Sequence, residues 1–127
     1  MLMPTKRLLE RNALAVAVFI TLLIAFLSLV SLDGVAKINI SNSDKIGHTI
    51  AYFTLSLSWF YVFKKQPRKR ILVFFLLIIY GIVLEVLQGT LTTYRTADFY
   101  DFIANTIGIL LAVFVFYLWY KYTRDLK

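Results

Sequence analysis

The sequence predicts an all-α membrane protein with four transmembrane helices in a bundle. Of its 127 residues, 60% are hydrophobic, and the mean hydropathy of +0.75 lies well above that of soluble domains. Apolar stretches of 18 to 21 residues occupy positions 13–32, 46–63, 71–91 and 102–120. About 20 helical residues cross a hydrocarbon core of about 30 Å, so residues 1–127 form a single transmembrane domain. The stretches lack the alternating polarity of membrane β-strands.

The positions of the basic residues predict the orientation of these spans. The net charge is +7, and 11 of the 14 Lys and Arg residues fall before the first span, between the second and third, or after the fourth. Basic loops stay on the cytoplasmic side of the membrane, so we predict that both termini are cytoplasmic. This pattern indicates a multi-pass protein of the cell membrane that contacts lipid, and it argues against nucleic acid as a partner. The chain has no cysteine, which excludes disulfides and thiolate chemistry.

The third span carries the polar residue that most needs an explanation. Between positions 71 and 91 the ionisable side chains are Tyr80 and Glu85. A carboxylate within a membrane span costs several kcal/mol unless it faces a partner or water, so it is a candidate functional residue. Gln88 falls on the same helix face as Glu85, one turn further along.

The second and fourth spans each begin with a polar stripe. Asp44, His48 and Tyr52 recur every four residues and share one face, although Asp44 is also a good helix N-cap. The fourth span begins with a similar stripe, whose residues follow one another at intervals of three, four and three. They are Asp98, Asp101, Asn105 and Gly108. One aspartate there could be an N-cap, but capping does not explain both aspartates together with the asparagine.

A short internal repeat relates these two helix starts. Asp44-x-Ile-x-His48-Thr49-Ile50 is echoed by Asp101-x-Ile-x-Asn105-Thr106-Ile107. Both segments open helices that run in the same direction across the membrane. The sequence is therefore compatible with a parallel repeat of two helical hairpins about an axis along the membrane normal.

With both termini inside, these polar residues lie at the outer ends of the spans and predict a shallow pocket that opens outward. Lys45, Arg95 and the helix N-termini would attract an anion. Carboxylates and an imidazole suit proton transfer or a divalent cation, which would be the cofactor. The candidate catalytic residues, which are also the ligands of any metal, are Glu85, His48, Asp98 and Asp101. The candidate ligand-binding residues are Asp44, Lys45, Tyr52, Gln88, Arg95 and Asn105.

Three interpretations of the pocket remain open. In an enzyme, Glu85 or His48 would be the general base. In a scaffold or binding protein, the same residues would form a fixed network without catalysis. A proton- or ion-coupled transporter is less well supported, because no Asp, Glu, His, Lys or Arg lies in the inner half of a span.

The set of motifs resembles the VanZ-like family of small bacterial membrane proteins. The resemblance rests on three motifs, which are Asp44-Lys45-x-x-His48-x-x-x-Tyr52, Glu85-x-x-Gln88 and Arg95-x-x-Asp98-x-x-Asp101-x-x-x-Asn105-x-x-Gly108. It implies a multi-pass protein of the bacterial inner membrane with a link to resistance to the glycopeptide teicoplanin. It also implies an outward-facing site for an anionic envelope ligand, either a lipid-linked cell-wall precursor or a glycopeptide.

Overall fold

A computed structural model describes residues 2–29, 41–91 and 99–125, which form four α-helices. The helices are α1 (Leu2–Leu29), α2 (Ser41–Val62), α3 (Pro67–Leu91) and α4 (Phe99–Asp125). No strand occurs among these residues, which confirms the all-helical prediction. Side chains are described at residues 8, 10–29, 45–90 and 99–125.

The connection between α2 and α3 is a tight turn with its own polar contacts. The amide of Gln66 donates to the carbonyl of Phe63 at 2.9 Å, and Pro67 then occupies the first helical position of α3. Proline is well suited to that position, because its fixed φ is helical and it lacks an amide hydrogen that would need a partner. The Arg70 side chain donates from Nη1 to the carbonyls of Phe63 and Lys64 at 3.2 Å and 2.5 Å. These bonds satisfy carbonyls at the end of α2 that have no helical partner.

Three of the four helices are long and apolar enough to cross a membrane: Glu10–Leu29, Pro67–Thr90 and Phe99–Asp125. This agrees with the prediction of a membrane protein. The second predicted span, residues 46–63, does form a helix of comparable length, α2. However, α2 is more polar than the other three, since serine and threonine recur along it at Thr49, Thr54, Ser56 and Ser58. Among the described residues, length and composition therefore identify three spans, and the fourth stays a prediction.

The main interface of the fold joins α2 to α4, and these two helices run parallel. Contacts between them advance together along both helices, from Lys45 with Asp101 to Tyr61 with Trp119. Gly108 lies at their closest approach, directly against the backbone of Thr49. A shared core buries apolar side chains of these two helices and of α3: Tyr52, Leu55, Phe60, Val73, Leu77, Ile109, Ala112 and Phe116.

Helix α1 packs against α2 and α3 through Ala17, Ile20 and Ile24, and hydrogen bonds add to this contact. The Trp59 indole nitrogen donates to Thr21 Oγ1 at 2.8 Å, and the Tyr80 hydroxyl donates to the Thr21 carbonyl. Nearer the end of the helix, Gln88 Nε2 donates to the Ser28 carbonyl at 3.0 Å. Most of the other α1 side chains are exposed, which suits a face in contact with lipid.

The two ends of the bundle differ in chemistry. At one end, here called the site end, α1 and α3 finish at Leu29 and Leu91 while α2 and α4 begin at Ser41 and Phe99. The opposite end, here called the basic end, contains the turn between α2 and α3 and the end of α4. The basic end carries Lys64, Lys65, Arg68, Lys69, Arg70, Lys121 and Arg124.

Candidate functional site

An ion pair joins α2 to α4 at the site end. Lys45 Nζ lies 3.2 Å from Asp101 Oδ1, and the ammonium group also lies 6.0 Å from the centre of the Tyr100 ring. The Asp101 side chain is 9% exposed whereas that of Lys45 is 32% exposed. The lysine is therefore the accessible member of the pair, and its carboxylate partner lies in the protein interior.

His48 continues this polar contact inward. Its Nε2 lies 3.7 Å from Asp101 Oδ2, and its Nδ1 lies 3.0 Å from Asn105 Oδ1. Asn105 is buried and lies one turn beyond Asp101 on α4. The polar contacts therefore extend without a break from the partly exposed Lys45 to a buried amide. His48 and Asn105 are also equivalent positions in the sequence repeat, and the fold places them against each other.

Two small residues allow the three helices to meet at this point. A Cβ at Gly108 would collide with the backbone of Thr49, and a Cβ at Gly81 would stand 3.4 Å from both Asn105 Nδ2 and Tyr52 Cε2. Thr49 Oγ1 lies 2.9 Å from the Lys45 carbonyl and 3.2 Å from the Ala104 carbonyl, so its hydroxyl hydrogen bridges the two helices. Small residues of this kind permit close approach in membrane bundles.

Helix α3 contributes the buried carboxylate. Glu85 and Gln88 are 7% and 2% exposed and lie on the same face of α3 as Gly81. Glu85 is close enough to Tyr52 for an electrostatic interaction, and the Tyr52 and Tyr80 rings are 6.2 Å apart. Glu85 therefore lies beside the contact between α2 and α4, about two turns from the end of α3.

The structure brings together most of the residues that the sequence predicts for the site. Lys45, His48, Asp101 and Asn105 form one contact chain, and the buried residues Tyr52, Glu85 and Gln88 lie next to it. Arg95 and Asp98 lie outside the described residues, and of Asp44 only the helical backbone is described. Their roles in the site stay predictions.

The metal prediction receives no support from the described part of the chain. Within it, no three His, Asp or Glu side chains come close enough together to hold a metal ion. Asp101 instead pairs with Lys45, which neutralises much of its charge. Asp98, the fourth candidate metal ligand, lies outside the described residues.

Sequence reasoning missed several polar contacts of the site. Nothing in the sequence assigns the first span to the site, yet the Ser28 and Thr21 carbonyls accept hydrogen bonds from α3. No sequence signal identifies such carbonyls, because every residue has one. Thr49 could have been found, since it belongs to the repeat and matches Thr106. The pairing of Lys45 with Asp101 was not predicted either.

Comparison with known proteins gives one family and one curated relative. The family model described as VanZ/LLP1 matches residues 2–120. The relative is "Uncharacterized protein C11E3.10" of Schizosaccharomyces pombe, which is 33% identical over 81 residues, or 62% of this chain. The chain spans about half the length of that relative, of which 49% is covered. No solved structure matches.

Proposed function

The chain belongs to the VanZ/LLP1 family, and from this premise we propose that it is a four-span membrane protein whose site end binds an anionic envelope ligand. Membership of the family and the apolar helices establish a membrane protein.

The packing of α2 supports a fourth span. This helix runs parallel to α4 from the Lys45–Asp101 pair to the Tyr61–Trp119 ring contact, and α4 is itself long enough to cross. A helix of 22 residues is about 33 Å long at about 1.5 Å per residue, which matches the hydrocarbon thickness. Its polar side chains Lys45, His48 and Thr49 contact α4, and Ser56 is buried, so most of the polar groups of α2 are shielded from lipid. The positive-inside rule then places the basic end in the cytoplasm and the site end outside.

The observation that carries the binding proposal is the ion pair between Lys45 and Asp101, with His48 and Asn105 behind it. Ion pairs in a low-dielectric setting contribute little net stability, because desolvation offsets their attraction. Close packing at Gly108 and the Thr49 hydrogen bonds already join α2 to α4 without any charge. The charges therefore need another explanation, and in a membrane protein that explanation is most often a ligand.

An anion is the ligand that suits the accessible part of this cluster. Lys45 is its exposed cation, and α2 and α4 both begin at this end, so their N-terminal amides add positive potential. Arg95 would add a second cation. The candidate ligands are a lipid-linked cell-wall precursor, through its phosphates, and a glycopeptide such as teicoplanin, through its carboxylate. In this proposal a role in teicoplanin resistance follows from ligand binding at the cell membrane.

Residue roles follow from position in the cluster. Lys45 and Arg95 hold the anion, and Asn105, Gln88 and Tyr52 orient it or the neighbouring side chains. In a catalytic version, His48 or Glu85 moves the proton, because both lie deeper than Lys45 and are ionisable. Asp101 balances the Lys45 charge. A divalent cation would be held by Glu85, His48 and Asp101 together with Asp98.

The binding proposal is tested by titration of the purified protein in lipid nanodiscs with a polyprenyl diphosphate and, separately, with the polyprenol of equal chain length. We expect the diphosphate to bind more tightly than the alcohol, and Lys45→Met to remove most of that difference. Lys65→Met, an exposed lysine at the basic end, is the matched control and should bind as the wild type does. Teicoplanin is titrated in the same format. If the wild type takes up diphosphate and alcohol equally and ignores teicoplanin, the site does not bind an anion.

The second candidate function is a non-catalytic scaffold, and the mutual pairing of the polar side chains favours it. Lys45, Asp101, His48 and Asn105 contact one another, and Gln88 contacts α1. A fixed network would lose stability and cellular abundance together whenever one member is removed. Thermal unfolding of the wild type and Glu85→Gln, with divalent cations and with EDTA, distinguishes a metal-binding site from a scaffold. Stabilisation by cations that the variant loses indicates a metal site, whereas a lowered midpoint indifferent to cations indicates the scaffold.

A further inference from the structure

A second feature of the molecule lies at the basic end, far from the polar site. Helices α3 and α4 meet near Gly81 and Asn105 but leave a cleft of about 500 Å³ between them at the basic end. Aromatic side chains dominate its walls, and its lining includes Phe60, Phe74, Phe75, Val113, Phe116 and Tyr120. Phe75 and Leu110 in this lining are 55% and 50% exposed, so the cleft opens sideways to the surroundings of the bundle.

One cation is built into this apolar cleft. The Arg70 guanidinium carbon lies 5.1 Å from the centre of the Phe116 ring and 5.5 Å from that of Tyr120. Its Nη1 donates to the carbonyls of Phe63 and Lys64. The group is therefore fixed by two rings and two backbone acceptors. Both described hydrogen bonds use Nη1, and an arginine has further N–H donors at Nε and Nη2.

The charge around the cleft has one dominant sign. Arg68 and Lys69 flank Arg70 at the start of α3, and Lys121 and Arg124 follow Tyr120 at the end of α4. The acidic residue nearby in sequence is Asp125. An occupant must therefore be apolar along the aromatic walls and negatively charged where it reaches the end of the bundle.

We propose that this cleft binds one anionic phospholipid of the surrounding bilayer, with an acyl chain between α3 and α4 and the headgroup phosphate on Arg70. The side opening is where a lipid chain enters, because Phe75 on α3 and Leu110 on α4 line the cleft and are half exposed at the surface of the bundle. Charge complementarity selects the headgroup, since juxtamembrane Lys and Arg residues attract anionic lipid. The planar guanidinium suits a phosphate, with which it forms paired hydrogen bonds.

Native mass spectrometry of the detergent-purified protein tests the proposal, with dioleoyl-phosphatidylglycerol as probe and dioleoyl-phosphatidylcholine as its neutral counterpart. Leu110→Trp fills the cleft, whereas Leu111→Trp is its matched control. Residues 110 and 111 are 50% and 47% exposed, but only Leu110 lines the cleft. Arg70→Gln removes the fixed charge, and Val113→Trp fills the cleft from a second position. Thermal unfolding of each variant verifies that it is folded.

We expect one phosphatidylglycerol to remain bound to the wild type and to Leu111→Trp in preference to phosphatidylcholine. Leu110→Trp and Val113→Trp should lose this bound lipid. Arg70→Gln should reduce the preference for phosphatidylglycerol by about fivefold, the change expected when one cation is lost from an anionic membrane surface. Equal retention by Leu110→Trp and Leu111→Trp would overturn the proposed cleft. Equal retention of the two lipids by the wild type would overturn the anionic headgroup.

Discussion

The backbone carbonyl of Thr49 lies against Gly108, in the space where a side chain at position 108 would begin. The amide nitrogen of Phe53 is also only 3.0 Å from the ideal Cβ position, so one turn of α2 backbone, from Thr49 to Phe53, packs against this residue. This contact lets the parallel helices α2 and α4 approach closely enough for His48 to reach Asn105. The geometry of the polar cluster therefore depends on a glycine that carries no polar group.

Three glycines of the helices, at positions 47, 81 and 108, predict a graded series of alanine substitutions. Gly108→Ala places a methyl group on backbone that cannot rotate away, and overpacking of this kind costs about 1 to 3 kcal/mol. Gly81→Ala should cost less, because its neighbours at 3.4 Å are the side chains of Asn105 and Tyr52. Gly47→Ala is the control, since nothing lies within 4 Å, and alanine favours helix over glycine. The free energy of unfolding from detergent titration measures all three, and an equal cost at positions 47 and 108 would contradict the close approach.

Much of this fold could be predicted from the sequence because the lipid environment simplifies the problem. Apolar length fixes where helices form, and the observed α3 and α4 contain the predicted spans 71–91 and 102–120. The Asp101, Asn105 and Gly108 stripe predicted one interacting face, and these residues do share the face toward α2. Which helices adjoin could not be predicted, since lipid and protein are equally apolar. The attachment of α1 through its backbone carbonyls could not be predicted, because every residue has a carbonyl and the sequence does not show which ones accept a hydrogen bond.

The ion pair of Lys45 and Asp101 predicts that removal of either charge alone destabilises the protein. Lys45→Met should destabilise the protein by about 1 to 3 kcal/mol, because Asp101, 9% exposed, loses its nearest cation. Asp101→Asn should also destabilise the protein, because Lys45 then loses its carboxylate partner while its ammonium group stays partly solvated. In the double variant neither charge is left unpaired. Its loss of unfolding free energy should therefore be smaller than the sum of the two single-variant losses, by about 0.5 to 3 kcal/mol.

Thermal and denaturant unfolding of the four proteins of this cycle give the coupling energy. Lys121→Met serves as the control, because this lysine is exposed at the opposite end and should tolerate the change. Additive losses in the double variant would show that the 3.2 Å contact has no energetic role.

The hydrogen bonds that hold α1 predict that this helix can be loosened selectively. Tyr80→Phe removes the donor to the Thr21 carbonyl, and Gln88→Leu removes the donor to the Ser28 carbonyl. Hydrogen bonds between membrane helices contribute about 0.6 kcal/mol on average, so each variant should lose roughly that amount. Hydrogen exchange followed by mass spectrometry should show faster exchange in α1 than in α4. Tyr122→Phe, at a tyrosine that is 65% exposed, should leave both helices unchanged, and uniform acceleration over all helices would argue against selective loosening.

The proposed fourth span predicts the side of the membrane on which each end of α2 lies. The chain has no cysteine, so single cysteines can be introduced without background. Ser41→Cys begins α2 and Tyr100→Cys lies in the first turn of α4, whereas Gln66→Cys lies in the turn that follows α2. If α2 crosses the bilayer parallel to α4, residues 41 and 100 share one side and residue 66 lies on the other.

Labelling of intact cells with a thiol reagent that cannot cross membranes shows on which side each introduced cysteine lies. Positions 41 and 100 should react from outside, and position 66 should react only after permeabilisation, because its loop is the basic one. Arg124→Cys, at the basic end of α4, is the control and should behave as position 66 does. Reaction of position 41 together with position 66 would mean that α2 does not cross. In that case the parallel contact with α4 would have to be abandoned too, since a helix that follows α4 from Asp101 to Trp119 traverses the same thickness of membrane.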